Sequence, residues 1–376
     1  MVRQPAELST AAGELDHSPV IALDTESNSR HRYPEQLCLI QIASVDTIYI
    51  IDTISVGDLS PIRDILADSS VKKVIHSADY DIRCLDRHSG LRIGNLSDPS
   101  IAARFSGIAQ FGLAHLTKDL LNIAIDKSER IQKSDWGRRP LSAEAIDYAA
   151  NDVRYLIVLQ QALDEKLRIL GREEWVAEEY GRIELVRYSE PDLETAYLSV
   201  KGSKDLNGQQ LAIFQKLFLF REGEARRQRQ PPFFVLPDST LIFLAENPRA
   251  DLSKVAGLGQ TGLKRFGDGL KKALEEGLNA PPIYRPPRPK TRHATEEEMQ
   301  RLNRLKEWRR QLGASFALDP SLIWPMASLE RLSRAPDALD TESWHESIRQ
   351  WQREVVAPSL QAFLSADSKT GGRVQT

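Results

Sequence analysis

Three apolar runs follow one another between Val20 and Asp52: VIALD at 20–24, Leu37 to Ala43, and Thr47 to Asp52, with polar turns between them. Each has the length and the Ile/Val/Leu content of a buried strand. Strands so closely spaced are expected to pair as an antiparallel meander. From Ser60 the pattern changes to alternation. Pro61 to Ala67 reads as a helix, Val71 to His76 as a strand, Tyr80 to Arg87 as a helix, Asn95 to Asp98 as a short strand, and Ile101 to Phe105 as the start of another helix. Strands alternating with helices imply parallel pairs.

A meander followed by β-α-β units is the order of ribonuclease H-like folds. An α/β domain with a mixed sheet and flanking helices is therefore expected over residues 1–201. Helices dominate from Leu113 to about Tyr188, with one helix over Ala143 to Leu163. Gly202 to Gly208 reads as a polar linker. A small all-α unit is expected over 204–280, its first helix at 209–230 stopped by Pro231-Pro232. Residues 281–293 hold the core of APPIYRPPRPK, a proline-rich basic linker. A second helical unit is expected over 294–366, opened by Thr295 and Glu298 at capping-box spacing, and a disordered tail over 367–376. The two units echo one another. Phe234, Leu236, Leu241 and Ile242 are matched by Phe316, Leu318, Leu322 and Ile323, and each set precedes an x-Pro turn, Asn247-Pro248 and Ala335-Pro336. An offset of about 81 residues points to duplication of a small helical domain.

A chain of 376 residues is long enough for two or three such domains. No apolar run approaches the roughly 18 residues that cross a bilayer, and Met1 to Gly13 lacks a signal-peptide pattern. A soluble, cytoplasmic protein with no membrane contact is expected. Cys38 and Cys84 sit in apolar or amphipathic surroundings and read as core residues. The net charge of −3 conceals an asymmetry. Residues 1–203 carry 23 Lys/Arg against 32 Asp/Glu, residues 204–292 carry 16 against 9, and residues 293–376 carry 11 against 12. An acidic front repels a polyanion unless cations neutralise it, and a basic middle attracts one.

The acidic residues are patterned. Asp24 and Glu26 end an apolar strand, and i, i+2 on a strand share a face. Alone, D-x-E reads equally as a solvated strand end. Tyr148 and Asp152 share one face of a helix at i, i+4, beside Val153, Tyr155 and Leu156. A carboxylate near a buried face needs a counter-charge or a metal. In His76-Ser-Ala-Asp79-Tyr-Asp81, Asp79 is expected to cap the helix and Asp81 to sit in its first turn, aimed across the sheet ends. Four such carboxylates can hold two divalent cations about 3.5–4 Å apart.

Asp24-x-Glu26, Asp81 in H-x(4)-D and Tyr148-x(3)-Asp152 together resemble the three exonuclease motifs of the DEDDy superfamily. Ile125 to Leu156, with Asp126-Lys127-Ser128, Ser134-Asp135-Trp136 and Arg139-Pro140-Leu141, is similar to ribonuclease D, as is Leu39-Ile40-Gln41-Ile42. Residues 209–277 resemble an HRDC domain, the nucleic-acid-binding module shared by ribonuclease D and RecQ-type helicases, and residues 295–365 a degenerate second copy. The resemblance spans nearly the whole chain. It implies a 3′→5′ exoribonuclease using two Mg²⁺ or Mn²⁺ ions, releasing 5′-mononucleotides from RNA, with tRNA precursors and other small structured RNAs as substrates. Asp24 would bridge both ions, Glu26 and Asp152 complete the nucleophile side, Asp81 serve the leaving-group side through water, and Tyr148 orient the attacking water. A monomer is the expected state.

Outside that set, His76 reads as the end of a buried strand and Trp136 as packing on the Tyr148 helix. Lys127, Arg138 and Arg139 read equally as phosphate contacts and as surface charges. In the basic segment, Arg221, Arg226, Arg227 and Arg229 lie on one helix and its end. Lys264, Arg265, Lys271 and Lys272 lie on another, entered through Gly257-Leu-Gly259. Of these, Arg226, Arg227, Lys264 and Arg265 are the candidate RNA contacts. Two other functions are open: a 3′→5′ DNA exonuclease, against which the lack of polymerase or helicase segments counts, and a non-catalytic nucleic-acid-binding protein, against which the complete motif set counts.

Overall fold

The computed structural model describes residues 1–126, 128–285 and 292–371, with side chains to 367. Lys127, most of the proline-rich linker and residues 372–376 lie outside the described residues. The meander forms as expected: β1 (Val20–Ser27), β2 (Leu37–Ala43) and β3 (Ile48–Asp52) pair antiparallel. β4 (Lys72–Ile75) adds parallel to β1, and β5 (Leu96–Ser97) parallel to β4. The order is β3-β2-β1-β4-β5, so the mixed sheet carries β1 at its centre. β2 is buried along its whole length because helices or chain cover both its faces.

Three local features depart from expectation. A helix at Pro5–Leu15, not evident from sequence, opens the chain. Proline stands at its start, Gln4 and Glu7 form a capping box, and Leu8, Ala11 and Leu15 are buried. The helix expected over Ala143 to Leu163 is two helices, Ala143–Arg154 and Leu156–Leu170, broken at Tyr155 with φ −112° and ψ 0°. The break lets the first piece lie on β1, β2 and β3 while the second turns to β1, β4 and the Pro99–Phe105 helix. The stretch Gly202 to Gly208 is packed rather than free: Ser203 is buried, and Arg285 donates to both its hydroxyl and the Leu198 carbonyl.

The helical unit after Asn207 is built on a second core, with Phe214, Leu217, Leu241, Leu244 and Leu270, to which Tyr197 and Leu206 of the preceding segment also belong. The last unit differs. Its Trp308, Trp324, Trp351 and Leu360 belong to one continuous core with the sheet domain. Trp351 stacks on Trp175 at 4.4 Å and meets Phe105 edge-on at 5.7 Å, and Arg349 pairs with Glu179. The last helix, Ala357–Gly371, carries Asp367, which accepts from Arg301 and Arg304.

The two helical units repeat at a spacing of 88 residues, not 81. Asn207 and Thr295 open matching capping boxes, and each starts a 21-residue helix, Gly208–Gln228 and Glu296–Phe316. Each helix ends in a left-handed residue, Arg229 at φ 53° and Ala317 at φ 50°. Short helices follow at Pro232–Val235 and Pro320–Ile323, then Asp238–Glu246 and Met326–Arg334. Arg221 donates to the Leu236 carbonyl at 3.2 Å, and Arg309 donates to the Trp324 carbonyl at 3.0 Å. Apolar spacing misleads by seven residues, two helical turns, because apolar residues recur on a helix face at that interval; the shared arginine contact fixes the register.

Candidate active site

Asp24, Glu26 and Asp152 converge. The first two leave one face of the central strand, and Asp152 comes down from the Ala143–Arg154 helix laid across it. One oxygen of each carboxylate lies within 4.8 Å of the other two. Three carboxylates so close repel one another unless a cation intervenes. Hard oxygen donors favour Mg²⁺, Mn²⁺ or Ca²⁺ over softer metals, so the residues present fit a divalent cation. The β1–β2 register shifts between Glu26 and Ser27. A bulge at this point bends the strand end and aims its side chains.

Asp81 stands behind this group. It lies in the first turn of the Asp79–Ser89 helix, buried, and accepts a 2.5 Å hydrogen bond from Thr25 Oγ1. Thr25 sits between the paired carboxylates and so points to the other face of the strand. Burial pushes the Asp81 carboxyl up to about 7, although the Thr25 hydrogen bond works to lower it. Asp79 does not cap the helix as expected. It is the first helical residue and pairs with Arg83.

Asp98, which from sequence reads as a strand end, secures the turn instead. Its carboxylate accepts from the N–H groups of Ser77, Ala78 and Ser100 at 2.9, 3.0 and 2.8 Å. Ser77 has φ +61°, a left-handed conformation uncommon for a side-chain-bearing residue. Asp98 therefore holds the turn that delivers Asp81. The signal was present in sequence, since Asp-Pro is a common way to enter a helix.

Tyr148 is buried one turn before Asp152, its ring centre 6.0 Å from that of Trp136. Trp136 packs beneath the helix as expected. Burial, then the charges of Asp152, Glu26 and Asp24, push the phenol well above its ordinary value. Both causes disfavour the phenolate. A cleft of about 310 Å³, lined by Asp126, Ser128, Tyr148 and Asn151 among others, opens beside it.

The basic residues separate into structural and exposed groups. Arg139 is half-buried: it grips buried Asp52 through two bonds of 2.6 and 2.7 Å and donates to the Trp136 carbonyl. Arg221 is buried and bonds Asp238. Arg226, Arg227, Lys264 and Arg265 are exposed. Arg226 lies over the Tyr33 ring, and Arg227 pairs with Glu224. Gly257 and Gly259, both at positive φ, lead into the helix Gly259–Asn279. Cys38 and Cys84 are buried and unbonded to each other.

Residues 1–168 match the 3′-5′ exonuclease family, and residues 210–274 match the HRDC domain family. Ribonuclease D of Desulfotalea psychrophila is 30% identical over 339 residues, 89% of this chain and 90% of that protein. Ribonuclease D of Shewanella sp. strain ANA-3 is 33% identical over 286 residues, 75% of this chain and 73% of that one. The crystal structure of Escherichia coli RNase D, described as an exoribonuclease involved in structured RNA processing, is similar with a TM-score of 0.73 at 22% identity, covering 97% of this chain and 98% of that one. A protein from Bifidobacterium adolescentis gives a TM-score of 0.83 at 23% identity, covering 97% and 96%. At those identities the two structures speak to fold, which they share along nearly the full length.

Proposed function

The chain belongs to the ribonuclease D family, and from that premise we propose that Asp24, Glu26, Asp81, Tyr148 and Asp152 form the active site through which it hydrolyses RNA. Its activity is that of a 3′→5′ exoribonuclease of a metal-dependent family, with an exonuclease domain and an HRDC domain. The observation that carries the site is the convergence of three carboxylates from two distant segments within 4.8 Å, with the Tyr148 phenol one helical turn away.

Asp24, Glu26 and Asp152 would hold two Mg²⁺ or Mn²⁺ ions, with Asp81 joining through water on the leaving-group side. When bound, such ions lower the pKa of the attacking water and neutralise charge at the leaving oxygen. Tyr148 hydrogen-bonds that water and aims it in line with the last phosphodiester. A P–O bond forms to the water oxygen, the bond to the 3′ oxygen breaks, and the 3′ oxygen takes a proton. A 5′-mononucleotide leaves and the RNA is one residue shorter.

Precursor tRNAs and other small structured RNAs are the substrates we infer, bound by a monomer. Arg226, Arg227, Lys264 and Arg265 supply phosphate contacts from the HRDC domain over 204–280. Residues 294–366 are read as a degenerate second HRDC-like copy, a reading supported by the 88-residue repeat of caps, helix lengths and the Arg221 and Arg309 contacts. The test is incubation with 3′-extended tRNA, single-stranded RNA and single-stranded DNA, with Mg²⁺ and with EDTA. Mononucleotides from RNA that vanish in EDTA are expected. Equal or faster degradation of DNA, or activity that survives EDTA, would overturn the reading.

A further inference from the structure

The 88-residue repeat lets the two helical units be compared surface by surface. In the C-terminal unit, the end of the first helix and the short helix after it turn toward the exonuclease domain. The Phe316 ring meets Trp175 at 6.0 Å, and its carbonyl accepts from Arg172. The Ala317 carbonyl lies against Gly107, where an added Cβ would come within 2.5 Å of it. Ser321 and Leu322 line a cleft shared with Ser100 and Phe105. Along this edge stand Ala314, Ser315, Ala317, Ser321 and Leu322, none of them charged or aromatic.

At the equivalent positions, 88 residues earlier, the first unit carries Arg226, Arg227, Arg229, Phe233 and Phe234. All five are exposed. The phenylalanines are 56% and 61% exposed, with ring centres 4.7 Å apart. Single exposed apolar residues need no explanation, but a contiguous aromatic pair at an arginine-rich helix end marks an interaction surface. The surface adjoins the exonuclease domain at Tyr33. Arg226 lies 5.4 Å from the Tyr33 ring centre, and the Tyr33 hydroxyl donates to buried Glu222 at 2.6 Å. Tyr33 belongs to the loop that leaves β1 just after Asp24 and Glu26.

We propose that Phe233 and Phe234, rimmed by Arg227 and Arg229, form a stacking platform for unpaired bases of the RNA strand whose 3′ end occupies the active site. The proposal rests on the exoribonuclease reading and adds a subsite to it. Every base has a flat π face, so two accessible rings grip single-stranded RNA without regard to sequence, and neighbouring arginines neutralise its phosphates. A protein partner fits less well. Three exposed arginines, Arg226, Arg227 and Arg229, stand beside the pair in a segment that carries 16 Lys/Arg against 9 Asp/Glu, and that charge suits a polyanion.

The test uses the full chain in EDTA, which stops hydrolysis, and single-stranded RNA carrying the fluorescent adenine analogue 2-aminopurine. The exchange F233L/F234L keeps apolar bulk at an exposed site but removes the flat ring, and F233Y/F234Y restores it. The leucine variant is expected to bind about tenfold or more weakly, from the loss of base stacking, and to lose the quenching that stacking causes. The tyrosine variant should regain both. Arg229→Gln should shallow the slope of log K against log salt by about 0.7. With Mg²⁺ restored, the leucine variant should raise KM on single-stranded RNA and spare kcat. Leucine variants that melt like the parent, yet bind and quench like it, would overturn the platform and leave the pair as a protein-docking site. Failure of the parent chain itself to degrade RNA would instead remove the underlying activity.

Discussion

At Asp24 and Asp152 the exchange of one oxygen for nitrogen removes an anionic donor and keeps the side chain's shape. Asp24→Asn or Asp152→Asn should abolish hydrolysis while the melting temperature in EDTA holds or rises, because one of three mutually repelling charges is gone. Parent-like turnover by a folded Asp24→Asn enzyme would sink the assignment. Tyr148→Phe should lower kcat by about 10²–10⁴-fold, the range for a lost proton-handling or positioning group. Its metal-binding isotherm should match the parent's; a large loss of affinity would make the phenol a prop for the site rather than a guide for water. Arg139 is a different kind of residue. Asp52 is almost wholly buried, and although burial acts to raise its carboxyl, the Arg139 guanidinium outweighs it and holds the group below its ordinary value. A depressed folded-state value contributes stability above the unfolded value and loses it as pH falls through the folded one. Arg139→Ala should therefore cost about 3–5 kcal/mol at neutral pH, from leaving a buried carboxylate unpaired. The gap from the parent should narrow as urea titrations move below about pH 4, where the unfolded carboxylate protonates.

Among the elements, the hairpin strands read cleanly because apolar runs bounded by polar turns have few other solutions. The Ala143–Arg154 helix read less cleanly: Tyr155 and Leu156 continue the helical periodicity, so the break is invisible without the two surfaces that the pieces cover. The helices Gly208–Gln228 and Gly259–Asn279 give an element-scale test. They approach closely at Gly277, where an added Cβ would stand 2.5 Å from the Ile213 Cα. Backbone cannot yield as a flexible side chain can. Gly277→Ala should destabilise the HRDC domain by about 1–3 kcal/mol, the usual cost of overpacking. Hydrogen exchange should rise in these two helices and not in β1 or β2; exchange unchanged across the domain would show that the helices can separate without loss.

For the whole molecule, the acid–base division of the chain suggests a free-standing catalytic half, since all five motif residues precede Gly202. The packing says otherwise. Phe105 and Trp175 are covered by Trp351 and Phe316 from the C-terminal unit, and Arg172 donates to the carbonyls of Phe105 and Phe316. Deleting residues 204–376 should expose that core and yield an aggregating or weakly folded protein. Excising only 208–283 should not. The HRDC core is separate from that of the sheet and takes only Tyr197 and Leu206 as buried residues from the chain before it, and the domain's ends meet where the Ile283 N–H donates to the Gly208 carbonyl at 2.9 Å. With a short flexible bridge the excised protein should melt cooperatively and still shorten single-stranded RNA, while binding tRNA with a shallower salt slope. The reverse ranking of the two deletions by thermal melting would show that the shared core contributes little.

The sequence alone determined the mixed sheet and the helical units after it, and singled out the carboxylates and Tyr148 as candidates, because each is written in local periodicity or in spacing along one strand or helix. Only the tertiary structure decided what distant segments do to one another. It placed Asp152 against Asp24 and Glu26, set Asp98 beneath the turn before Asp81, and drew Arg139 and Arg221 inside while leaving Arg226 and Arg227 out. It fixed the repeat at 88 residues and merged the last unit's core with the first domain's. A charged side chain looks the same in sequence whether it meets solvent or a buried partner. The partner is chosen by packing across more than fifty residues of chain, as from Asp52 to Arg139, and no local pattern records that choice.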